Sequence, residues 1–330
     1  MKIGPIDAAK KVFVIAEAGN NHEGDFGRAK ALVCAAAEAG AHAVKFQTFR
    51  AERFVGGADP ARLARLKSFE LSPEQFAQLS VLAASQGILF ISTPLDMPSV
   101  DVLAPIVDAL KIASGDNDFY PLISSAASKK KPLIISTGLC DIAQVRRAVA
   151  AAKKAPSLAL MHCVCSYPVE NAQANLRGLT ALQRAFPKLT VGYSDHTLGI
   201  EACVLSVALG ARLIEKHFTL DKNQSDFRDH KLSADPAEMK ALVRRVAEAE
   251  VLLGDGAKKV MPCEVPMLAP VRRSLAAASD LAAGHRMTVD DLLWLRPSGG
   301  LRPGQEKKVV GRRLVRAMRK GEPLLAKDLR

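Results

Sequence analysis

Short apolar runs in this 330-residue chain end repeatedly on side chains able to bind anions, move protons or hold a metal. Glu17 follows VFVIA, Lys45 lies in VKFQT, Thr93 closes FIST, and Lys111, Ser114 and Asp116 sit in LKIASGD. Ser136 ends LIIS, His162 ends LALMH, Ser194, Asp195 and His196 end GYSDH, and His217 ends IEKH. Singly, each has a plain structural reading: a strand-end Lys or Ser cradles backbone or faces water, and a lone His is more often a hydrogen-bonded filler than a ligand. Together, two lysines, several hydroxyls, histidines and two carboxylates suit a substrate with phosphate and carboxylate groups plus a divalent ion. His196 and His217 form the candidate metal pair, and two imidazoles completed by water or substrate oxygens suit Mn2+, Zn2+, Fe2+ or Co2+ alike. Cys163 and Cys165 are rival soft ligands, although i, i+2 spacing at a strand end works against joint chelation.

The elements that must position these residues alternate strictly. Strand-length runs fall at 12–16, 43–46, 89–91, 109–112, 132–135, 158–161, 190–192 and 212–215. Between and after them lie helically spaced stretches at 26–38, 73–85, 98–105, 120–127, 142–152, 176–186, 200–209 and 236–253. Eight βα units predict an α/β fold, a (β/α)8 TIM barrel over residues 1–253, with its site at the C-terminal ends of the strands. A doubly wound sheet is the rival, but no G-x-G-x-x-G follows the first strand. Residues 254–270 are Gly- and Pro-punctuated and aperiodic, so they predict a linker, and 271–330 predict a small second domain.

Composition excludes other classes. The chain is 48% hydrophobic and 24% charged, enough for a large core, and its six cysteines are too sparse for a disulfide scaffold. No C-x-x-C pair occurs, no apolar run reaches the ~18 residues of a membrane span, and no signal-peptide pattern opens the chain; a cytoplasmic protein is the expectation. The net charge of +12 is concentrated late, with 14 Lys and Arg against 6 Asp and Glu in residues 266–330. Apolar residues interrupt these charges and Trp294 is their sole large stacking partner, so steering of an anionic small molecule fits better than nucleic-acid binding.

The segments VIAEAGNNHEGDFGRAKALVCAAAEAGAHAVKFQTF, ELSPEQF, FISTPLD, LKIASGD, PLIISTG, HCVCSYP, GYSDHTLG, EKHFTLDK and RDHKLSADP, then LLWLRPSGG and KKVVGRRLVRAMRKGEPLLAKDL, closely resemble the sialic acid synthases. That N-acetylneuraminate synthase family includes legionaminate and pseudaminate synthases, and the resemblance extends to a C-terminal antifreeze-like (SAF) domain. It implies condensation of phosphoenolpyruvate with N-acetylmannosamine or a related acetamido sugar, giving a nine-carbon 2-keto acid and phosphate. It implies His196 and His217 as ligands of a divalent metal, Mn2+ first, with Mg2+ or Co2+ as alternatives. Lys45, Thr93, Lys111, Ser114, Ser136 and Ser194 match positions holding phosphoenolpyruvate, and Glu17 and Asp229 match acidic positions facing the sugar and the reacting centre. Asp116 matches the proposed water-activating carboxylate. Arg296, on composition a solvated loop charge, matches an arginine that reaches the sugar from the partner subunit, which implies a domain-exchanged homodimer.

The chain also departs from that pattern. It has S-G-D where many relatives have S-G-E, so Asp116 is one methylene shorter, and Cys165 stands where Asn or Ser is common. FRDH at 227–230 replaces G-P-D-H, and the segment after Lys45 is short, so the sugar specificity is open. The readings from other classes are a glycan-binding or inactive barrel and another phosphoenolpyruvate-dependent 3-deoxy-sugar-acid phosphate synthase. A decayed site would have lost some of Glu17, Lys45, Lys111, His196 and His217, and the antifreeze-like segment and two-His pattern count against the other synthase.

Overall fold

The computed structural model describes residues 1–330, which divide into two compact units, Met1–Gly254 and Asp255–Arg330. In the first, eight parallel strands close a barrel: β1 Phe13–Gly19, β2 Ala43–Thr48, β3 Leu89–Pro94, β4 Ala109–Ile112, β5 Leu133–Ser136, β6 Leu158–Cys163, β7 Thr190–Asp195 and β8 Leu213–His217, with β8 pairing back onto β1. The principal helices are α1 Phe26–Glu38, α2 Pro73–Ser85, α3 Met97–Leu103, α4 Tyr120–Ser128, α5 Ile142–Ala151, α6 Arg177–Ala185, α7 Glu201–Ala208 and α8 Pro236–Leu253.

Local chemistry starts these helices where they start. Asp25 accepts from the Arg28 N–H at the head of α1, and reciprocal capping boxes Ser72/Gln75, Asp141/Gln144 and Asp235/Glu238 open α2, α5 and α8. In α1 the buried residues Ala29, Leu32, Val33 and Ala36 recur at helical spacing and face the barrel wall. Alternation along the strands then divides the core in two. Val14, Val44, Phe46, Leu110, Ile112 and Ile135 pack outward among the helices, whereas Phe13, Ile15, Ala43, Ile91, Ile134, Met161 and Leu213 fill the lumen. A two-stranded hairpin, Lys2–Ile3 with Ile6–Asp7, adds Ile3 to that inner cluster and closes the end where the strands begin.

Six strands run two or three residues past the apolar stretches that announce them, because the backbone ladder continues beyond the last apolar side chain. Two helices in the β2–α2 connection, Ala51–Phe54 and Pro60–Phe69, lack a strong apolar stripe; Asp59 caps the second. The second unit packs Leu275, Leu281, Met287, Leu292, Val309, Leu314 and Leu324 around the antiparallel pair Ser274–Ala277 and Leu292–Leu295. Part of the expected linker is structured, as a 3-10 stretch Pro262–Met267 and a helical turn Leu268–Val271. The extended reach of 255–261 is therefore roughly 25 Å, against about 55 Å for all seventeen residues. No helix is long and apolar enough to cross a membrane.

Gly192 marks the tightest approach in the wall: a Cβ there would lie 2.5 Å from the Leu213 carbonyl oxygen and 2.7 Å from Met161 Sδ. Gly192→Ala is expected to cost about 1–3 kcal/mol, read from the urea midpoint; an unchanged midpoint would mean that β6, β7 and β8 have slack at this level.

Candidate active site

Continuing the inward alternation past the apolar lumen brings polar side chains to the C-terminal mouth. After Ile15 comes Glu17, after Ala43 Lys45, after Ile91 Thr93, after Ala109 Lys111, after Ile134 Ser136, and after Leu213 Glu215 and then His217. Four of these form a buried, charge-balanced network. Lys45 Nζ lies 2.9 Å from Glu17 Oε2 and 3.6 Å from Glu215 Oε1, and donates to Thr93 Oγ1 at 3.2 Å. Lys111 Nζ donates to Glu215 Oε1 at 3.2 Å, and the Ser194 hydroxyl donates to the same oxygen at 3.0 Å. Gln47 Nε2 donates to Glu17 Oε1 at 3.2 Å.

Burial opposes ionisation throughout this network, and the partners decide the outcome. Burial would raise the Glu215 pKa, but Lys111 and Lys45, with hydrogen bonds from Lys111 and Ser194, hold it at about 2. Burial would lower that of Lys45, but Glu17 and Glu215 keep it above the usual lysine value. Lys111 is pulled below its ordinary value by burial, which Glu215 only partly offsets. Glu17 is pushed up by burial despite Lys45.

Beside the network stand the two imidazoles, with ring centroids 5.2 Å apart. His196 Nδ1 lies 2.8 Å from the Val164 carbonyl oxygen, which can only accept; the proton therefore sits on Nδ1 and the Nε2 lone pair is free. His217 Nδ1 is buried without a hydrogen-bond partner. Burial pushes both rings toward the neutral form. Two neutral imidazoles with available lone pairs fit a borderline divalent ion, with no third His, Cys, Asp or Glu joining them to form a cage. Tyr167 packs on His196 at 4.2 Å between centroids and edge-on to His217 at 6.0 Å, and the Arg228 guanidinium sits over Tyr167 at 4.6 Å.

Four further candidates, Ser114, Ser136, Asp229 and Asp116, belong to the first unit. The Ser114 hydroxyl accepts from the Gly138 N–H at 3.0 Å, and the Ser136 hydroxyl is buried without a partner. Asp229 begins the short helix Asp229–Leu232, 3.4 Å from Arg228 Nε, its pKa raised by burial. Asp116, on the 3-10 turn Ser114–Asp116, is half-buried with no ion-pair partner, and burial with the nearby Asp118 raises its pKa to about 6. Arg296 is exposed in the second unit, after the strand Leu292–Leu295. His162 and Asp195, read from the sequence as part of the ring, point outward instead: His162 bonds the Ala174 carbonyl and stacks on Tyr193, and Asp195 pairs with Lys216. Sequence reasoning passed over Glu215 and Tyr167. The i, i+2 step back from His217 points to Glu215; Tyr167 lies in a loop, where no periodicity marks it.

Residues 32–258 match the NeuB family and residues 272–330 the SAF domain. The chain is 43% identical to the N,N'-diacetyllegionaminic acid synthase of Legionella pneumophila, over 98% of this chain and 96% of that one. It is 36% identical to a pseudaminic acid synthase of Campylobacter jejuni, over 99% of each. The crystal structure of N-acetylneuraminic acid synthetase from Leptospira borgpetersenii in complex with citrate superposes with a TM-score of 0.77 at 35% identity, covering 81% of this chain and 94% of that one.

Removing the carboxylate shared by the lysines tests the network directly. Glu215→Gln is expected to destabilise the barrel by about 3–5 kcal/mol, because it leaves buried ammonium charge without its counter-ion. Chemical denaturation at pH 7 measures this, and a loss below about 1 kcal/mol would show that the lysines are not held by charge balance.

Proposed function

The chain belongs to the NeuB family, and on that premise we propose that it is a nonulosonic acid synthase joining phosphoenolpyruvate to an N-acetylated amino sugar, with a nine-carbon 2-keto acid and phosphate as products. The observation that carries this reading is the pair of buried, charge-balanced lysines beside two neutral imidazoles at one mouth of the barrel. Glu17 and Glu215 keep Lys45 charged and aimed, so the anion meets donors already in place. Lys45 and Lys111 take the phosphate and carboxylate of phosphoenolpyruvate, helped by the hydroxyls of Thr93, Ser114, Ser136 and Ser194. The buried, partnerless Ser136 hydroxyl is a donor held ready for such an oxygen. The relative at 43% identity is named for N,N'-diacetyllegionaminic acid, which supports a 2,4-diacetamido hexose over N-acetylmannosamine as the acceptor.

Carbon 3 of phosphoenolpyruvate attacks the aldehyde carbon, the aldehyde oxygen gains a proton, water adds at carbon 2, and phosphate departs from that carbon. Bound by His196 and His217, a divalent ion, Mn2+ ahead of Mg2+ or Co2+, would supply Lewis-acid polarisation of the sugar aldehyde. Asp116 takes the proton of the attacking water, since it is free of ion pairs and its pKa of about 6 suits a base near neutrality. Asp229, buried beside Arg228, meets the sugar hydroxyls. Glu17, engaged by Lys45 and Gln47, serves mainly to fix Lys45. Arg296 completes the sugar site from the SAF domain of a partner subunit in a homodimer. Six free cysteines fit a reducing compartment, and the reading places the enzyme in the cytoplasm.

A substrate panel of N-acetylmannosamine, its 6-phosphate and 2,4-diacetamido-trideoxyhexoses with phosphoenolpyruvate and Mn2+, read by phosphate release and product mass, tests the assignment. No product from any of them would overturn it. Asp116 is protonated below its pKa and active above it, so kcat should rise with pH through about 6 and then level. Asp116→Asn should abolish that limb and lower kcat by about 10²–10⁴-fold; near-normal turnover would transfer the role to Glu17 or Asp229. Arg296→Ala and His217→Ala subunits, each inactive alone, should regain activity when mixed, whereas heterodimers that form and stay inactive would rule out the shared site.

A further inference from the structure

Behind the two imidazoles, on the outer face of the barrel wall, lies an ion pair that the proposed reaction does not use. The register pairs of β7 with β8 end at Asp195↔Lys216, one residue before His196 and His217. Because side chains alternate, Asp195 and Lys216 point away from the lumen while Ser194, His196, Glu215 and His217 point into it. Asp195 and Lys216 are each 1% exposed. Lys216 Nζ donates to Asp195 Oδ2 at 2.8 Å and to the Thr197 carbonyl at 2.5 Å. Asp195 also accepts from the Tyr193 hydroxyl at 3.0 Å, the Thr197 N–H at 2.9 Å and the Cys203 thiol at 3.4 Å.

A buried ion pair gains little net stability over a well-packed apolar pair, so its presence calls for another reason. Direction supplies one. Through both its N–H and its carbonyl, Thr197, the residue after His196, is tied to the side-chain pair that Lys216, the residue before His217, forms with Asp195. On its other flank His217 is paired with Glu17 of β1, and its carbonyl accepts from the Ala234 N–H at 2.7 Å. On the β7 flank the register has ended, and the Lys216 bonds carry the connection.

We propose that the Lys216–Asp195 clamp is a positioning device that sets the separation and 53° tilt of the His196 and His217 rings and thereby the affinity for a divalent ion. The inference rests on the reading of those imidazoles as the metal-binding pair. Full-length, chelator-treated protein titrated with Co2+ by calorimetry and visible absorption tests it, with phosphoenolpyruvate affinity measured in parallel on the metal-free protein. Lys216→Met should weaken Co2+ binding by about 10–100-fold and shift the absorption bands, with phosphoenolpyruvate affinity within about twofold of the parent; Lys216→Arg should recover part of the loss. Tyr193→Phe removes one bond to Asp195 without unpairing a charge, and should weaken Co2+ binding by about 2–5-fold on the same reasoning. It decides the matter if Lys216→Met does not fold. Unchanged Co2+ affinity in a folded clamp variant, or an equal loss for both ligands, overturns the clamp alone, provided that the parent binds Co2+ and His217→Ala does not. A parent that binds no Co2+, or His217→Ala that binds it as well as the parent, fails the metal reading and this inference with it.

Discussion

Charge inside a hydrocarbon barrel must be balanced at short range, and the Glu17, Lys45, Glu215 and Lys111 network is where this chain meets that demand. The two lysines could not remain in the lumen as ammonium ions without the two carboxylates, and the carboxylates would take up protons without the lysines. Spacing follows from this requirement. Glu215 Oε1 gathers Lys111, Lys45 and Ser194, which holds three strands' side chains in one arrangement before any ligand arrives. An oxygen-rich anion entering such a place finds its donors oriented, and water has little to rearrange.

The same strands serve two purposes along their length. Their first halves are apolar on both faces, with Phe13, Ile15 and Leu213 inside and Val14, Leu110 and Ile214 outside. Polar side chains gather toward their ends, and β8 carries charge on both faces, Glu215 inward and Lys216, paired with Asp195 of β7, outward. Cohesion is concentrated at the end where the strands begin, and directional chemistry where they finish, the division expected of this architecture.

Much of this arrangement could be read from residue order alone. Eight apolar runs alternating with capped, helically spaced segments specify the barrel, because strand and helix periods differ and Asp25, Ser72, Asp141 and Asp235 mark helix starts. The polar residues at strand ends are equally visible, but the apolar runs do not give their facing. An apolar run stops at the first polar residue, whereas the strand continues, so the run alone does not tell that His162 and Asp195 turn away from the lumen while Glu215 enters it. Counting in steps of two from an inward residue would have separated them. Tyr167 and the short helices around residues 51–69 depend on loop contacts distant in sequence, which local patterns do not encode.

The apolar floor has a kinetic meaning. With Ile3, Phe13, Ile15 and Met161 filling the lumen beneath the lysines, the barrel is a blind well with a single opening. If phosphoenolpyruvate seats on Lys45 and Lys111 as proposed, traffic would be last in, first out: it would have to arrive before the sugar that covers it. On that reading, order of addition would be written into the packing of hydrocarbon side chains that never touch a reacting atom.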